Sequence, residues 1–300
     1  MSEAGKKQES TRRDFLKASG LVTAGAVVAS GIPALPKAHA AGAEGLKACL
    51  IGCGGRGNGA ASDCLTASGK GGLPVKFVAV ADAFEGRAKG AASNLNKKGK
   101  EQADITPERT FFGLDAFQKA IDSGVDLVVI AGPPGFRPQH YSAAISAGKN
   151  VFMEKPVCTD SGGYRKVMEA NQMADEKKLK VVVGLQRHHE SGYQGGIQAI
   201  ADGKFGDITL VRAYWNGGGI WNRAREQGMT EMQYQIHNWY HFAWLSGDNI
   251  AEQHVHNLDI ANWVMSAALK KEGDQWAHPV EANGMGASLT RGYNGKNVQG

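Results

Sequence analysis

The hexapeptide Gly52-Cys53-Gly54-Gly55-Arg56-Gly57 constrains this 300-residue chain more than any other segment. It fits G-x-G-x-x-G and follows Lys47-Ala48-Cys49-Leu50-Ile51, a short apolar run that reads as a buried strand. Each glycine has its own physical reason. Gly52 permits a tight turn, Gly54 lets backbone approach a pyrophosphate, and Gly57 lets the next helix pack closely on the strand. The helix beyond offers unpaired N–H groups to phosphate oxygens. Alone, a Gly-rich turn has many uses. Here a second apolar run, Val75 to Ala81, ends at Asp82. A carboxylate at that strand end accepts hydrogen bonds from an adenosine ribose and repels a 2′-phosphate. The pattern predicts a dinucleotide site that prefers NAD to NADP, with Arg87 offsetting part of the repulsion. The plainer alternative is a scaffold of the same shape without a ligand.

Strand and helix patterns keep alternating downstream. Helical spacing runs from Phe84 to about Lys97, followed by a polar, lysine-rich loop to Arg109. A short helix spans Asp115 to Asp122, and Asp126 to Ala131 is an apolar strand stopping at Gly132-Pro133-Pro134. Gln139 to Ala147 reads as helix, Asn150 to Met153 as strand, Ser161 to Lys178 as a long amphipathic helix and Lys180 to Leu185 as strand. Repeated βα units predict an α/β fold with a doubly wound parallel sheet of the Rossmann type. Ligands of such sheets bind at the carboxyl ends of the strands, where Gly52, Asp82, Pro133, Lys155 and Gln186 fall.

The first forty residues carry a different message. Thr11-Arg12-Arg13-Asp14-Phe15-Leu16-Lys17 is a twin-arginine run, Ala18 to about Leu35 is mildly apolar, and Ala38-His39-Ala40 closes it with a small-x-small cleavage pattern. That order is an export signal. Its glycines, serines and prolines make it a poor transmembrane helix. It resembles bacterial twin-arginine (Tat) signals, whose route carries proteins that have already folded. The expected partner is the Tat export machinery and the expected location is periplasmic or otherwise outside the cytoplasm. Free NAD is scarce there, so an exported dehydrogenase is expected to hold its cofactor tightly.

Composition fits an ordinary enzyme. Removing residues 1–40 lowers Lys and Arg from 34 to 28 and Asp and Glu from 29 to 26, which leaves a net charge of +2. Charge therefore gives no case for nucleic acid. Glycine, at 41 residues, has no collagen-like period. Cys49, Cys53, Cys64 and Cys158 show neither zinc nor disulfide spacing.

Glu154-Lys155-Pro156 after a strand, Pro133-Pro134 with His140, and the opening glycine loop resemble the glucose–fructose oxidoreductase/inositol dehydrogenase/rhizopine-catabolism (Gfo/Idh/MocA) family over roughly residues 46 to 290. The resemblance implies an NAD(P)-dependent oxidoreductase acting on CH–OH groups of a sugar or cyclitol. It places Lys155 beside the nicotinamide and the substrate hydroxyl, with a cis peptide at Pro156 aiming it inward. The cofactor contacts it implies are Gly52, Cys53, Gly54, Arg56, Gly57, Asp82, Pro133, His140, Glu154 and Lys155.

A second part of the match is Glu252-Gln253-His254-Val255-His256-Asn257-Leu258-Asp259. Relatives commonly have Asp-x-x-x-His-x-x-Asp at a helix start; Glu252 departs from this by one methylene. Residues three and four apart share a helix face, so a carboxylate and an imidazole can meet one substrate. His256 is the natural acid/base, Lys155 orients the hydroxyl, and Glu252 orients substrate or assists a proton relay. Asp259 is expected to hold the helix start or a neighbour.

Arg187, Trp239 and His256 are the expected substrate contacts. Trp239 belongs to an aromatic stretch, Ala213 to Leu245, that also contains Tyr214, Trp215, Trp221, Tyr234, Tyr240, Phe242 and Trp244. Flat rings stack on sugar faces, although core or oligomer interface is the expectation for at least half of them. His237, His241, His254 and His256 raise a metal alternative, but His254 and His256 diverge on a helix and no metal is expected.

Three segments follow: residues 1–40 as signal, 41–186 as nucleotide-binding domain and 187–300 as substrate domain. The last is expected to be α+β with an open, largely antiparallel sheet, using strands at Asp207 to Trp215 and near Val280 to Leu289. A turn at Arg291 to Gly295 ends it, and it is expected to be C-terminally incomplete. Two other readings remain open beside the oxidoreductase. One is an NAD-dependent glycosidase that oxidises, eliminates, hydrates and re-reduces. The other is a carbohydrate-binding protein with a relic cofactor site. Homo-oligomerisation is also open.

Overall fold

The computed structural model describes residues 45–70, 73–217, 220–270, 276–286, 291–293 and 296–298. The signal segment and the tip of the triple-glycine loop at Gly218 and Gly219 lie outside them.

Six strands form one parallel sheet: β1 (Leu46–Ile51), β2 (Val75–Asp82), β3 (Thr110–Phe112), β4 (Leu127–Ile130), β5 (Asn150–Met153) and β6 (Val181–Val183), in the order β3-β2-β1-β4-β5-β6. Both faces are buried, and alternation along β1 shows how. Ala48 and Leu50 face one core with Ala60 and Leu65 of α1 (Gly55–Gly69) and Ala88 and Leu95 of α2 (Glu85–Gly99). Cys49 and Ile51 face the other core, with residues of α3 (Ala116–Ile121), α4 (Arg137–Ser146) and α5 (Ser161–Glu176). Period-2 strands packed by helices on both sides give the doubly wound sheet. β2 carries a bulge, since Ala48 pairs with Phe77 but Cys49 with Ala79, and the extra residue Val78 breaks the alternation there.

The strand order reverses at β1, which has β2 on one side and β4 on the other. This places a crevice at the carboxyl ends of β1, β2 and β4. The Asp160 side chain caps α5 by accepting from Gly163 N–H at 2.7 Å.

Beyond β6 come α6 (Ser191–Ala201), α7 (Glu231–His237), α8 (Ala243–Ser246) and α9 (Val255–Ala268). A capping box of Thr230 and Gln233 starts α7. β7 (Arg291–Tyr293) and β8 (Lys296–Val298) pair antiparallel, and Asn294 and Gly295 between them lie outside the described residues. Two expected strands are not found among the described residues. Residues 207–215 and 280–286 are not in a strand, and Leu210, Tyr214, Val280 and Met285 are exposed. A strand exists only where a neighbour takes its backbone groups, and none pairs with these segments among the described residues. The rest of the second expected strand, 287–289, lies outside the described residues. None of the described helices is long and apolar enough to cross a membrane.

Candidate active site

The glycine loop adopts the geometry its sequence demands. Gly52 sits at φ +91°, and a Cβ there would lie 2.3 Å from Gly132 N. A Cβ on Gly57 would lie 1.9 Å from the Gly52 carbonyl oxygen, so only glycine lets α1 approach β1 this closely. At Gly54 and Gly55 a Cβ would meet open space.

Asp82 ties this loop to β2. Its carboxylate accepts from Cys53 N–H at 2.7 Å and from Phe84 N–H at 2.9 Å. Cys53 contributes backbone only, for its thiol is buried and bonds to the Ala81 carbonyl oxygen at 3.4 Å. A cavity of about 230 Å³ opens beside these groups, walled by Gly52, Asp82, Arg87, Pro133, His140 and Ile236. His140 stacks on Phe117 with ring centroids 4.3 Å apart, and its Nδ1 is buried without a hydrogen-bond partner. Burial, then Arg137, pushes this imidazole down to about 3, so it stays neutral. Ile236 and His237 bring α7 to the pocket rim, where His237 Nδ1 lies 3.3 Å from Arg87 and its ring meets the Phe84 ring edge-on.

Lys155 stands at the carboxyl end of β5, and the Lys155–Pro156 peptide is cis. Its Nζ donates to the Glu252 backbone carbonyl and lies 3.0 Å from Glu252 Oε1. Both side chains are largely buried, at 13% and 9% exposure. Glu252 lies in a wide π-helical turn, Ile250–His254, that runs directly into α9, and His256 follows in the first turn of α9. Burial pushes the Glu252 carboxyl up, against Lys155 and Arg137, which pull it down. Its Oε2 is buried without a partner. Burial, then Lys155 and Arg187, lowers His256 to about 4. At neutral pH the imidazole of this cluster is therefore neutral and able to accept a proton, beside the paired Lys155 and Glu252 side chains.

Supporting groups surround it. Arg56 bridges Asp63 at 2.8 Å and Glu154 at 3.0 Å, linking the glycine loop to the residue before Lys155. Burial raises the Glu154 carboxyl, with Arg56, Arg137 and Lys155 opposing. Arg187 donates to Asn257 Oδ1 at 2.6 Å, and Asn257 donates to the Tyr214 carbonyl oxygen at 2.9 Å. Asp259 holds a neighbour, His188, at 2.8 Å. Trp239 packs with Trp221 and Tyr240, and Tyr240 accepts from Gln253, so this aromatic group reaches the Glu252 segment.

Four residues join the site without having been singled out as site residues from the sequence. Trp215 lies nearly parallel to His256, with centroids 6.1 Å apart. Phe117 and Phe136 clamp His140. Arg137 is buried at 2% exposure beneath the Lys155 turn. Its signal was a charged residue between apolar Phe136 and Pro138, directly after the Pro133-Pro134 strand end. Among the described residues, no group of three or more His, Cys, Asp or Glu is arranged to hold a metal ion. His241 bonds the Trp221 carbonyl oxygen, and His237 pairs with Arg87.

Fold and crevice together define a dinucleotide-binding α/β protein. Residues 46–185 match the oxidoreductase family GFO_IDH_MocA, NAD-binding Rossmann fold. Residues 9–29 match the twin-arginine translocation pathway signal sequence, so the chain is addressed for export from the cytoplasm. The chain is 31% identical over 172 residues to inositol 2-dehydrogenase of Acidiphilium cryptum, covering 57% of this chain and 44% of that one. It is 34% identical over 137 residues to inositol 2-dehydrogenase/D-chiro-inositol 3-dehydrogenase of Halalkalibacterium halodurans, covering 46% and 36%. It thus spans less than half the length of these curated relatives. In fold it is similar to scyllo-inositol dehydrogenase from Lactobacillus casei, solved with NAD(H) and scyllo-inositol. That match has a TM-score of 0.52 at 22% identity, covering 73% of this chain and 56% of that one.

Proposed function

We propose that this protein is an exported oxidoreductase that moves hydride between a sugar or cyclitol hydroxyl and a tightly held NAD. The observation that carries this reading is the Lys155–Glu252 contact at 3.0 Å, with His256 one turn further on, at strand ends that continue from the glycine loop. The inositol dehydrogenase relatives support the substrate class. The domain division proposed is 41–186 for the nucleotide and 187–300 for the substrate.

The residues fit NAD. Gly52 and Gly57 admit no side chain, a Cβ at Gly54 or Gly55 would meet open space, and the Asp82 carboxylate, which would repel a 2′-phosphate, accepts from the Cys53 N–H. The backbone of Gly52, Cys53, Gly54 and Gly57 and the side chain of Arg56 would hold the pyrophosphate, and Pro133, His140 and Glu154 would line the remainder of the site. Bound NAD supplies the hydride acceptor. His256, neutral above about pH 4, takes the hydroxyl proton as the carbinol hydrogen departs. Lys155 donates a hydrogen bond to that hydroxyl and stabilises the growing negative charge. Glu252 fixes Lys155 and faces the substrate. Arg187 and Trp239 bound the substrate side, with Trp215 as a further wall.

The test uses the full-length protein with a panel of inositols, hexoses and aryl glycosides, followed at 340 nm. NADH accumulation from a free polyol supports the reading. Aglycone release without net NADH indicates the redox glycosidase instead. Retention of sugar without nucleotide or turnover would reject both.

A further inference from the structure

Arg137 is the largest of the fully buried side chains, and none of the chemistry above uses it. It opens α4, and its guanidinium donates from Nη1 to the Pro156 carbonyl oxygen at 2.6 Å and from Nη2 to the Gly132 carbonyl oxygen at 2.7 Å. These acceptors follow β5 and β4, the two strands on the far side of β1. Its Nε is buried without a partner. A buried guanidinium is costly unless opposite charge and hydrogen bonds compensate it. Glu154 and Glu252, from two different segments, supply the charge.

We propose that Arg137 is a positioning residue for Lys155: by bridging the ends of β4 and β5 it fixes the turn that carries Lys155 and so sets where Lys155 meets Glu252. The Pro156 carbonyl is one residue beyond Lys155, so losing its partner loosens the turn that carries the Lys155 side chain. The guanidinium also adds positive charge beside Glu252, whose other charged neighbours are Lys155 and Glu154. The catalytic part of this proposal rests on the oxidoreductase reading; the structural and electrostatic part does not.

The test compares Arg137→Gln and Arg137→Lys in the full-length, nucleotide-loaded protein. Three quantities are read: kcat with KM, bound nucleotide, and the titration of Glu252 by carboxyl 13C NMR, assigned with Glu252→Gln. Misplacing a catalytic group by about 1 Å costs on the order of 10²-fold. Arg137→Gln is expected to keep its nucleotide, lose about 10–10²-fold in kcat with little change in KM, and move the Glu252 midpoint upward. Arg137→Lys keeps the charge but cannot span both carbonyls, so it should recover part of kcat. Parental kcat and a parental Glu252 midpoint in Arg137→Gln would overturn the proposal. If that variant does not fold, Arg137→Lys decides: reduced kcat at parental Tm supports the bridge, and full parental kcat rejects it. If the parent turns over no polyol, the oxidoreductase reading fails separately, and the Glu252 titration still tests whether Arg137 acts on the pair.

Discussion

At the scale of single residues the site is governed by burial. His256 is lowered to about 4 by desolvation and by the cations Lys155 and Arg187. A base lowered this far remains neutral well below the usual histidine range. The acidic limb of kcat/KM assigned to His256 is therefore expected near pH 4, and a limb near 6.5 would contradict this. His256→Ala should lose about 10²–10⁴-fold in turnover while still holding NAD. His140 illustrates the stability side of the same physics. Its folded-state value of about 3 lies below the free value of 6.5. As pH falls from 6.5 towards 3 the unfolded chain gains a proton that the native state refuses, so stability declines across that window. His140→Phe removes this linkage, and its Tm should fall less steeply than the parent's between pH 6.5 and 4. Equal slopes would show that His140 is protonated in the native state. Asp82 holds two backbone N–H groups as well as a charge. Asp82→Asn, which keeps an acceptor oxygen, is therefore the cleaner probe: its preference for NAD over NADP should shrink in titrations with both nucleotides, without collapse of the loop.

At the scale of elements the loop between β1 and α1 is the tightest constraint. Gly57→Ala places a methyl 1.9 Å from a backbone oxygen, so α1 must move off the sheet. Lower Tm and loss of retained nucleotide are expected together, and an unchanged nucleotide content would show that the loop tolerates the shift. This element was legible because glycine spacing reports backbone contact directly. Five of the six sheet strands are equally plain, being apolar runs bounded by turns. β3 is not, because Thr110–Phe112 is three residues long and pairs only with the end of β2. It hides behind a lysine-rich segment and shows no alternation. The opposite error arises at Asp207 to Trp215, where β-branched and aromatic residues suggest a strand. Propensity describes a surface that suits a sheet; pairing decides whether one forms. In the site, the i, i+4 spacing of Glu252 and His256 is visible in sequence. That Lys155 reaches Glu252 is not, because 97 positions separate them and only the packing of the π-helical turn against the β5 end joins them.

For the whole molecule, export and cofactor chemistry constrain each other. The twin-arginine signal fits a protein that folds around its nucleotide before transport. Changing both Arg12 and Arg13 to Lys should leave the precursor in the cytoplasm, as judged by cell fractionation, and the exported parent should begin near Ala41. Normal export of the double variant would mean that another route reads the signal and that cofactor loading before transport is not assured. The central claim is that Lys155, Glu252 and His256 act on a carbinol carbon at the end of the NAD crevice. The most direct measurement is isotopic. Full-length protein with its bound nucleotide is mixed with a polyol deuterated at the oxidised carbon, and the released nucleotide is weighed by mass spectrometry. The account predicts reduced nicotinamide carrying a single deuterium from the parent and none from Lys155→Ala. Reduced nucleotide without deuterium, or equal labelling in both proteins, would contradict it.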